Sequence, residues 1–272
     1  MTDDAAKSAR FLALHQQDRP LLLANAWDVG SARLLTSLGY EALATTSSGY
    51  AATLGRLDYS LSREEAISHA GALAAAVDVP VSADLEDCFA TDARGVAETL
   101  TMAHDAGLAG CSIEDWDPRE TRLYGAEIAA ERVAVAAQTA HAGPVHLVLT
   151  ARAENYLRGN PDLEDTIARL RAYQEAGADV LYAPGLVRAE DIHAVVESVD
   201  KPVNVLARPG MPSVAELGEL GVKRVSVGGA FAFVALGAAA DAAAELLTSG
   251  TYGFMDAVTR GSKAARSAFG SS

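Results

Sequence analysis

The chain has 272 residues, 50% of them hydrophobic, with a mean hydropathy of +0.11 and a formal charge of −14. These values describe a globular protein with apolar surface for one large core, and they exclude a phosphate-backbone binder, because no basic stripe is visible. Cys88 and Cys111, with no CxxC and no Cys/His cluster, exclude a zinc ribbon and a disulfide scaffold.

The N-terminus, MTDDAAKSARFLALHQQ, starts acidic and lacks an apolar h-region, so the expected location is the cytoplasm. From there, short apolar runs bounded by turn residues alternate with longer amphipathic stretches, the pattern of buried parallel strands joined by helices. The first strand is predicted over 21–25, with a helix over about 28–38 ended by Gly39. The second strand is 42–46. After a long loop, Ser62 caps a helix reaching about Val77, with Glu65 completing a capping box. The third strand, 79–84, precedes a helix over about 92–106 that Gly107 closes. The fourth, 110–114, is followed by a loop and a helix over about 125–141. The fifth, 145–152, leads to a helix over 161–176 with Gly177 beyond it. The sixth and seventh, 180–183 and 203–206, are followed by helices near 189–199 and 214–220. The eighth, 224–227, runs into a long helix after Gly229, and a last helix near 253–268 ends the chain.

Eight strand–helix repeats of roughly 27 residues predict one α/β domain over 1–272, a (β/α)8 TIM-type barrel with a C-terminal helical extension. An open doubly wound sheet is the alternative, but its first turn favours GxGxxG where this chain has NAWDVGS. The most apolar stretch, 230–247, is Ala-rich and carries Asp241 and Glu245. It reads as a buried or interface helix rather than a membrane span.

Catalytic groups in such barrels sit at the C-terminal ends of the strands. There the third strand presents Asp84, Glu86 and Asp87, and the fourth presents Glu114 and Asp115. Bare carboxylates so close repel one another unless a cation intervenes, and an all-oxygen set suits Mg²⁺, or Mn²⁺. Mg²⁺ keeps several waters, so some of these acids would act through water. The alternative, capping of the following helices, stands level with metal binding for Asp87 and Asp115. Arg152 ends the apolar strand HLVLTAR. It would fork to a substrate carboxylate or steady the acids, or else form a structural pair with Glu154 or Glu114. Ser48-Gly49-Tyr50, after Thr46, offers backbone N–H groups and a hydroxyl for a carboxylate or phosphonate.

The ordered segments NAWDVGSARLL, ATTSSGYA, VSADLED, GCSIED, LTARAENYL and ADVLYAPG resemble the isocitrate lyase/phosphoenolpyruvate mutase superfamily, in its short bacterial methylisocitrate-lyase-like or phosphonomutase-like branch, over about 21–229. The resemblance implies a modified barrel whose eighth helix is exchanged between the subunits of a dimer or tetramer. It implies Mg²⁺ near Asp84, Glu86 and Glu114, with Asp58 assisting indirectly. It places Thr46, Ser48, Gly49 and Tyr50 around the substrate carboxylate, Arg152 on the other face and Asn204 as a further substrate-side residue. The apolar helix after Gly229 fits an exchanged element, because its face needs a partner.

The superfamily makes or breaks C–C and P–C bonds beside an oxo or hydroxy acid, with Mg²⁺ stabilising an enolate. The loop after the fourth strand, DWDPRETRLYG, lacks the Cys and His of the lyase branch and the Lys and Asn of the mutase branch. Cys88, in LEDCFA, reads as a small buried thiol. Decarboxylation of an oxaloacetate-like acid needs mainly the metal as electron sink, with water as proton source. The expected activity is therefore that of a Mg²⁺-dependent C–C lyase or decarboxylase. Its substrate would be a small 2-oxo or 2-hydroxy (di)carboxylic acid, its product pyruvate-like, and Tyr124 and Arg122 are candidate loop donors. The alternatives are P–C chemistry, as in a phosphoenolpyruvate or carboxyphosphonoenolpyruvate phosphonomutase or a phosphonopyruvate hydrolase, and a non-catalytic binder of Mg²⁺ and an oxo acid. No nucleic-acid or membrane partner is expected. His69, His104, His141 and His193 are expected on solvated helix faces, His146 lies at the wrong end of a strand for catalysis, and Trp116 would cover the site or anchor its loop.

Overall fold

The computed structural model describes residues 3–143 and 145–270. In chain order its strands are β1 (Leu21–Ala26), β2 (Leu43–Thr45), β3 (Val81–Asp84), β4 (Gly110–Glu114), β5 (Trp116–Asp117), β6 (Arg122–Leu123), β7 (Val148–Arg152), β8 (Val180–Tyr182), β9 (Val203–Leu206) and β10 (Arg224–Ser226). Its helices are α1 (Asp3–Leu14), α2 (Val29–Ser37), α3 (Ser47–Thr53), α4 (Arg63–Ala76), α5 (Ala93–Asp105), α6 (Ala126–Ala142), α7 (Leu163–Glu175), α8 (Ala189–Glu197), α9 (Val214–Glu219), α10 (Ala230–Ser249) and α11 (Met255–Phe269).

Eight parallel strands close in the order β1-β2-β3-β4-β7-β8-β9-β10, and β10 returns to β1 in the register Leu21↔Arg224. The fold is therefore the predicted (β/α)8 barrel. The strands are buried on both faces, apolar toward the helices and small or polar toward the barrel axis. The main core lies between them and the helices, with Leu43, Val81, Leu100, Leu149, Leu170 and Leu181 inside it. Local signals set the helix ends. Glu65 N donates to Ser62 Oγ at 3.2 Å and Ser62 N to Glu65 Oε2 at 2.8 Å, the predicted capping box. Gly107 (φ +72°) and Gly177 (φ +104°) take the left-handed conformation that ends α5 and α7.

Three elements went unread in the sequence. α1 lays Phe11 and Leu14 across the floor of the barrel. The long loop after β2 contains α3, capped by Thr46. The loop after β4 is a hairpin of β5 and β6, not an open loop. The fifth barrel strand begins at Val148 rather than 145. α10 is not buried in its own chain: only Ala232 is covered, while Phe233 (51%), Val234 (68%) and Leu247 (87%) are exposed. By length and composition α10 could cross a membrane. Beyond it, Glu245 Oε1 accepts from Gly253 N at 2.6 Å, and α11 folds back onto α2. The KAARSAF part of the predicted solvated tail lies in α11, and Ser271 and Ser272 fall outside the described residues.

The barrel floor holds a buried cation with neutral partners. Arg224 Nε donates to Asn204 Oδ1 and Nη2 to Thr150 Oγ1, each at 3.0 Å, and Nη1 faces His15 Nε2 at 3.2 Å. His15 Nδ1 contacts the carbonyl oxygen of Phe11 at 2.8 Å, so it carries the proton and Nε2 accepts. Burial, then the charge of Arg224, pushes His15 down to about 3. A base depressed in the folded state binds fewer protons there than when unfolded. Its stabilising contribution is thus complete above the unfolded value near 6.5 and is lost as pH falls toward 3. Thermal melts between pH 7 and 4 are expected to fall in stability by an amount of order a few kcal/mol from this group. His15→Gln, which keeps an acceptor and cannot titrate, is expected to flatten that slope, and parallel slopes for both proteins would refute the assignment.

Candidate active site

A cavity of about 180 Å³ opens at the C-terminal ends of the strands and descends into the barrel. It is deep because the inward positions hold small or polar residues, including Ala44, Ser82, Ser112, Thr150 and Ser226, where other barrels pack bulky aliphatics. Its wall carries Thr46, Ser48, Asp58, Asp84, Glu114, Arg152 and Asn204 from the predicted set.

Asp84, the last residue of β3, points inward. Its Oδ2 accepts from Ser47 N at 3.2 Å and Ser47 Oγ at 3.0 Å, and its Oδ1 lies 3.4 Å from Arg152 Nη1. Ser47 Oγ also lies 3.3 Å from Asp58 Oδ1, linking the two acids. Glu114, the last residue of β4, is buried, with Oε1 accepting from Tyr59 OH at 2.7 Å and Oε2 3.3 Å from Arg152 Nη1. Arg152 therefore bridges Asp84 and Glu114. Its Nε and Nη2 donate to Glu154 Oε1 at 3.0 and 2.6 Å, and its guanidinium lies 5.1 Å from the Tyr182 ring centre. The structural pairing expected of Arg152 is present with both Glu154 and Glu114, and the side chain also lines the cavity. Arg158 meets Glu154 Oε2 at 3.0 Å, hydrogen-bonds Tyr59 OH and rests on Trp116 at 4.3 Å. Trp116 is thus a support for Arg158.

Tyr59, Glu154 and Arg158 are the residues the sequence reading missed or undervalued. Their one sequence signal is position, directly after Asp58 and just past the end of β7. Asn204 reaches the cavity only as part of its floor: its amide donates to Ser226 Oγ and accepts from Arg224.

Four predicted site residues are elsewhere than expected. Glu86 is not on the wall of this cavity and lines a neighbouring pocket with Tyr59 and Asp87. Gly49 is buried in α3, its N–H given to Thr46 Oγ1 at 3.3 Å, packed on Trp27 and Ala232. Tyr50 stacks on His69 at 3.8 Å and 7°, and His69 Nε2 sits 3.0 Å from the Trp27 carbonyl oxygen, so His69 is not on a solvated face. Tyr124 is not a loop donor. Its OH donates to Asp87 Oδ2 at 2.9 Å, Arg119 donates to it at 2.7 Å, and the hairpin ties its N–H to the Asp115 carbonyl at 2.9 Å. Burial and the Asp87 charge push Tyr124 up to about 12. The fellow candidate Arg122 is exposed on β6.

Asp87 and Asp115 fit neither a metal ligand nor a helix cap. Asp87 is held by Arg119, Tyr124 and Arg132. Asp115 accepts from Glu154 N at 2.7 Å, Arg169 Nη1 at 2.9 Å and Tyr173 OH at 2.6 Å. Both acids are anchors of the surrounding loops, and α5 is capped instead by Asp92.

Arg152 does not offset all of the acids at the mouth, and three of them hold their protons more tightly than usual. Burial, then the charge of Asp84, raises Asp58, and burial followed by Asp84, Asp58 and Asp87 raises Glu86 to about 9. Burial pushes Glu114 well up against the pull of Arg152. Glu86 Oε1 is buried without a hydrogen-bond partner, and Glu86 holds φ +49°, a left-handed conformation costing of order 1–3 kcal/mol for a residue with a side chain. An orphaned carboxylate oxygen, raised acids and hard oxygen donors without thiol or imidazole fit Mg²⁺ or Mn²⁺. Among the described residues these carboxylate oxygens do not gather at the spacing of a three-ligand shell.

The chain matches the phosphoenolpyruvate phosphomutase family over residues 11–247. It is 48% identical to a protein of Burkholderia cenocepacia J2315 provisionally described as a lyase/mutase, whose crystal structure superposes with a TM-score of 0.94 over 97% of each chain. An uncharacterized protein of Mycobacterium tuberculosis is 35% identical over 235 residues, 86% of this chain and 87% of that one. The oxaloacetate decarboxylase of Pseudomonas aeruginosa is 29% identical over 244 residues, 86% of this chain and 83% of the relative. The barrel closed as the strand–helix period required, and the match runs through nearly every strand of it: this chain belongs to the phosphoenolpyruvate mutase/isocitrate lyase superfamily, whose chemistry is that of lyases and mutases.

Proposed function

We propose that this chain is a Mg²⁺-dependent carbon–carbon lyase acting as a decarboxylase on a small 2-oxo dicarboxylic acid of the oxaloacetate type, releasing pyruvate. The observation that carries the reading is the lining of the cavity. It offers carboxylates, hydroxyls and Arg152, but among the described residues no thiol or imidazole. C–C cleavage that needs a dedicated acid is poorly served there, whereas decarboxylation can take its proton from water. The similarity to an oxaloacetate decarboxylase supports the same choice.

Asp84, Glu86 and Glu114 would hold the cation, directly or through water, with Asp58 acting through Ser47. When bound, Mg²⁺ supplies positive charge where negative charge develops on the 2-oxo oxygen. Thr46 and Ser48, whose hydroxyls lie 3.2 Å apart on the wall, bind and orient one substrate carboxylate. Arg152 Nη1, held only by contacts of 3.3 and 3.4 Å, is the guanidinium donor free to meet the other. Tyr59 keeps Glu114 in place from above.

Incubation with Mg²⁺ and oxaloacetate, followed by coupled detection of pyruvate, is expected to show cation-dependent turnover. Methylisocitrate, dimethylmalate and phosphonopyruvate serve as competing substrates. Phosphorus NMR detects any P–C cleavage, and no pyruvate from oxaloacetate refutes the proposal. Cys88→Ala gives a second check. Cys88 is fully buried and burial pushes its thiol up, so kcat is expected to stay within about twofold while stability drops by about 1 kcal/mol. A tenfold loss of kcat would instead indicate thiol acid–base chemistry.

The exposed apolar face of α10 supports a second proposal, that a neighbouring copy of this chain covers it by exchange of this helix in a dimer or tetramer. A cytoplasmic location belongs to the same reading. Light scattering is expected to give a multiple of 28.2 kDa, reduced in a Val234→Glu/Leu247→Glu variant.

A further inference from the structure

We propose that His141, His146 and Asp179 form a second metal site, selective for a borderline transition ion such as Zn²⁺, on the face of the barrel opposite the mouth. His141 lies in the last turn of α6, His146 just before β7 and Asp179 just before β8. All three therefore gather at the N-terminal ends of strands whose C-terminal ends carry Arg152 and Tyr182.

The donors converge from three separate stretches of chain. Nε2 of His141 and Nε2 of His146 lie 3.0 and 3.1 Å from the same oxygen, Asp179 Oδ2, and the three atoms fall within 4.8 Å of one another. Ligand atoms on a four-coordinate ion with bonds of about 2.0 Å are separated by about 3.3 Å, so the two nitrogen–oxygen edges are already near that spacing. Asp179 is fixed for the task. Its Oδ2 accepts from Leu149 N at 2.9 Å and its own N–H donates to the Leu149 carbonyl at 2.9 Å, a reciprocal clamp between β7 and β8. Such outer contacts orient metal-bound carboxylates.

Hydrogen bonding alone is a poor explanation for the arrangement. The imidazole rings stack at 4.2 Å and 10°, both aimed at one oxygen already used by a backbone N–H. Protonating both rings would set two cations face to face against a single carboxylate. A divalent ion replaces the two Nε2 protons and places its charge at the carboxylate. Two imidazoles and one carboxylate favour Zn²⁺, Co²⁺, Ni²⁺ or Cu²⁺ over Mg²⁺ and leave the remaining positions to water. His141 and His146 are 32% and 41% exposed, which leaves an entry path and room for a ring to turn until both lone pairs meet the ion. Occupied, the site joins the α6–β7 turn to the start of β8. Its effect is on stability, not on turnover.

The test is calorimetric titration of the full chain with Zn²⁺ in excess Mg²⁺, which occupies the mouth. One equivalent is expected to bind with micromolar or tighter affinity at pH 7.5. Binding is expected to weaken at least tenfold in His146→Ala, in His141→Ala and in Asp179→Asn. Zn²⁺ is expected to raise Tm in the parent chain but not in His146→Ala, while Mg²⁺-dependent turnover is the same in both. Cu²⁺ bound to the parent chain is expected to show nitrogen coupling in its electron paramagnetic resonance spectrum, reduced in each His variant. Equal Zn²⁺ isotherms for the parent and a His141→Ala/His146→Ala variant would overturn the proposal. Loss of the Zn²⁺ equivalent in Asp84→Asn with both histidines intact would overturn it as well.

Discussion

Arg152→Met is expected to lower kcat/KM for oxaloacetate about a thousandfold, equivalent to about 4 kcal/mol, and to lower Tm as well. The guanidinium is the main cation among Asp84, Glu114 and Glu154, and it contacts all three. Removing it leaves Glu154, which is fully buried, with Arg158 as its remaining ion-pair partner among the described residues, and leaves Glu114 repelled by Asp84 and Glu154. Breaking a buried pair from one side costs about 3–5 kcal/mol, because an uncompensated charge stays behind. Arg152→Lys separates the two contributions. An ammonium restores charge but cannot fork to Glu154 while reaching Asp84, so stability is expected to recover more than turnover. Coupled pyruvate assays, oxalate binding and thermal melts read these effects. Turnover within threefold of the parent in Arg152→Met would mean that the substrate never meets this side chain.

Asp84→Asn is expected to abolish Mg²⁺-dependent turnover and to weaken Mg²⁺ binding at least a hundredfold, while raising Tm in metal-free buffer. The two effects have opposite sign and one cause. Asp84 lifts the proton affinities of Asp58 and Glu86 while meeting Arg152 Nη1 only at 3.4 Å, so on balance its charge destabilises the metal-free mouth that a metal ion would stabilise. Asparagine keeps the oxygen that accepts from Ser47 and removes the charge. Calorimetry with Mg²⁺ and Mn²⁺, beside melts with and without metal, measures both. Unchanged cation affinity would show that Asp84 is not part of a metal site.

The loop after β4 shows why the place of its tyrosine could not be found by reading along the chain. Tyr124 has the right residue type and the right sequence position, but the β5–β6 hairpin turns it toward Asp87 and Arg119. Tyr59, from the loop between α3 and α4, takes the place over Glu114 instead. An irregular segment at 47–53 would leave Tyr50 turned to the mouth, but the segment is helical. Once Thr46 caps α3, the side chain points back onto His69.

The amino-acid order by itself determined the barrel and the strand-end residues at its mouth. Apolar runs, glycine stops and the Ser62–Glu65 box act over a few residues, so they survive being read one segment at a time. Strand alternation then sends Ser112 with Glu114, and Thr150 with Arg152, to the inside, which made Asp84, Glu114 and Arg152 findable as strand-end residues. Only the tertiary structure decided which loop residues reach the cavity, what balances Arg224 on the floor, and that His141 and His146 share Asp179. Those outcomes depend on where distant segments cross, and no local periodicity encodes a crossing. α10 marks the same boundary: it is apolar on nearly every side, so its composition announces that something must cover it without saying which surface does.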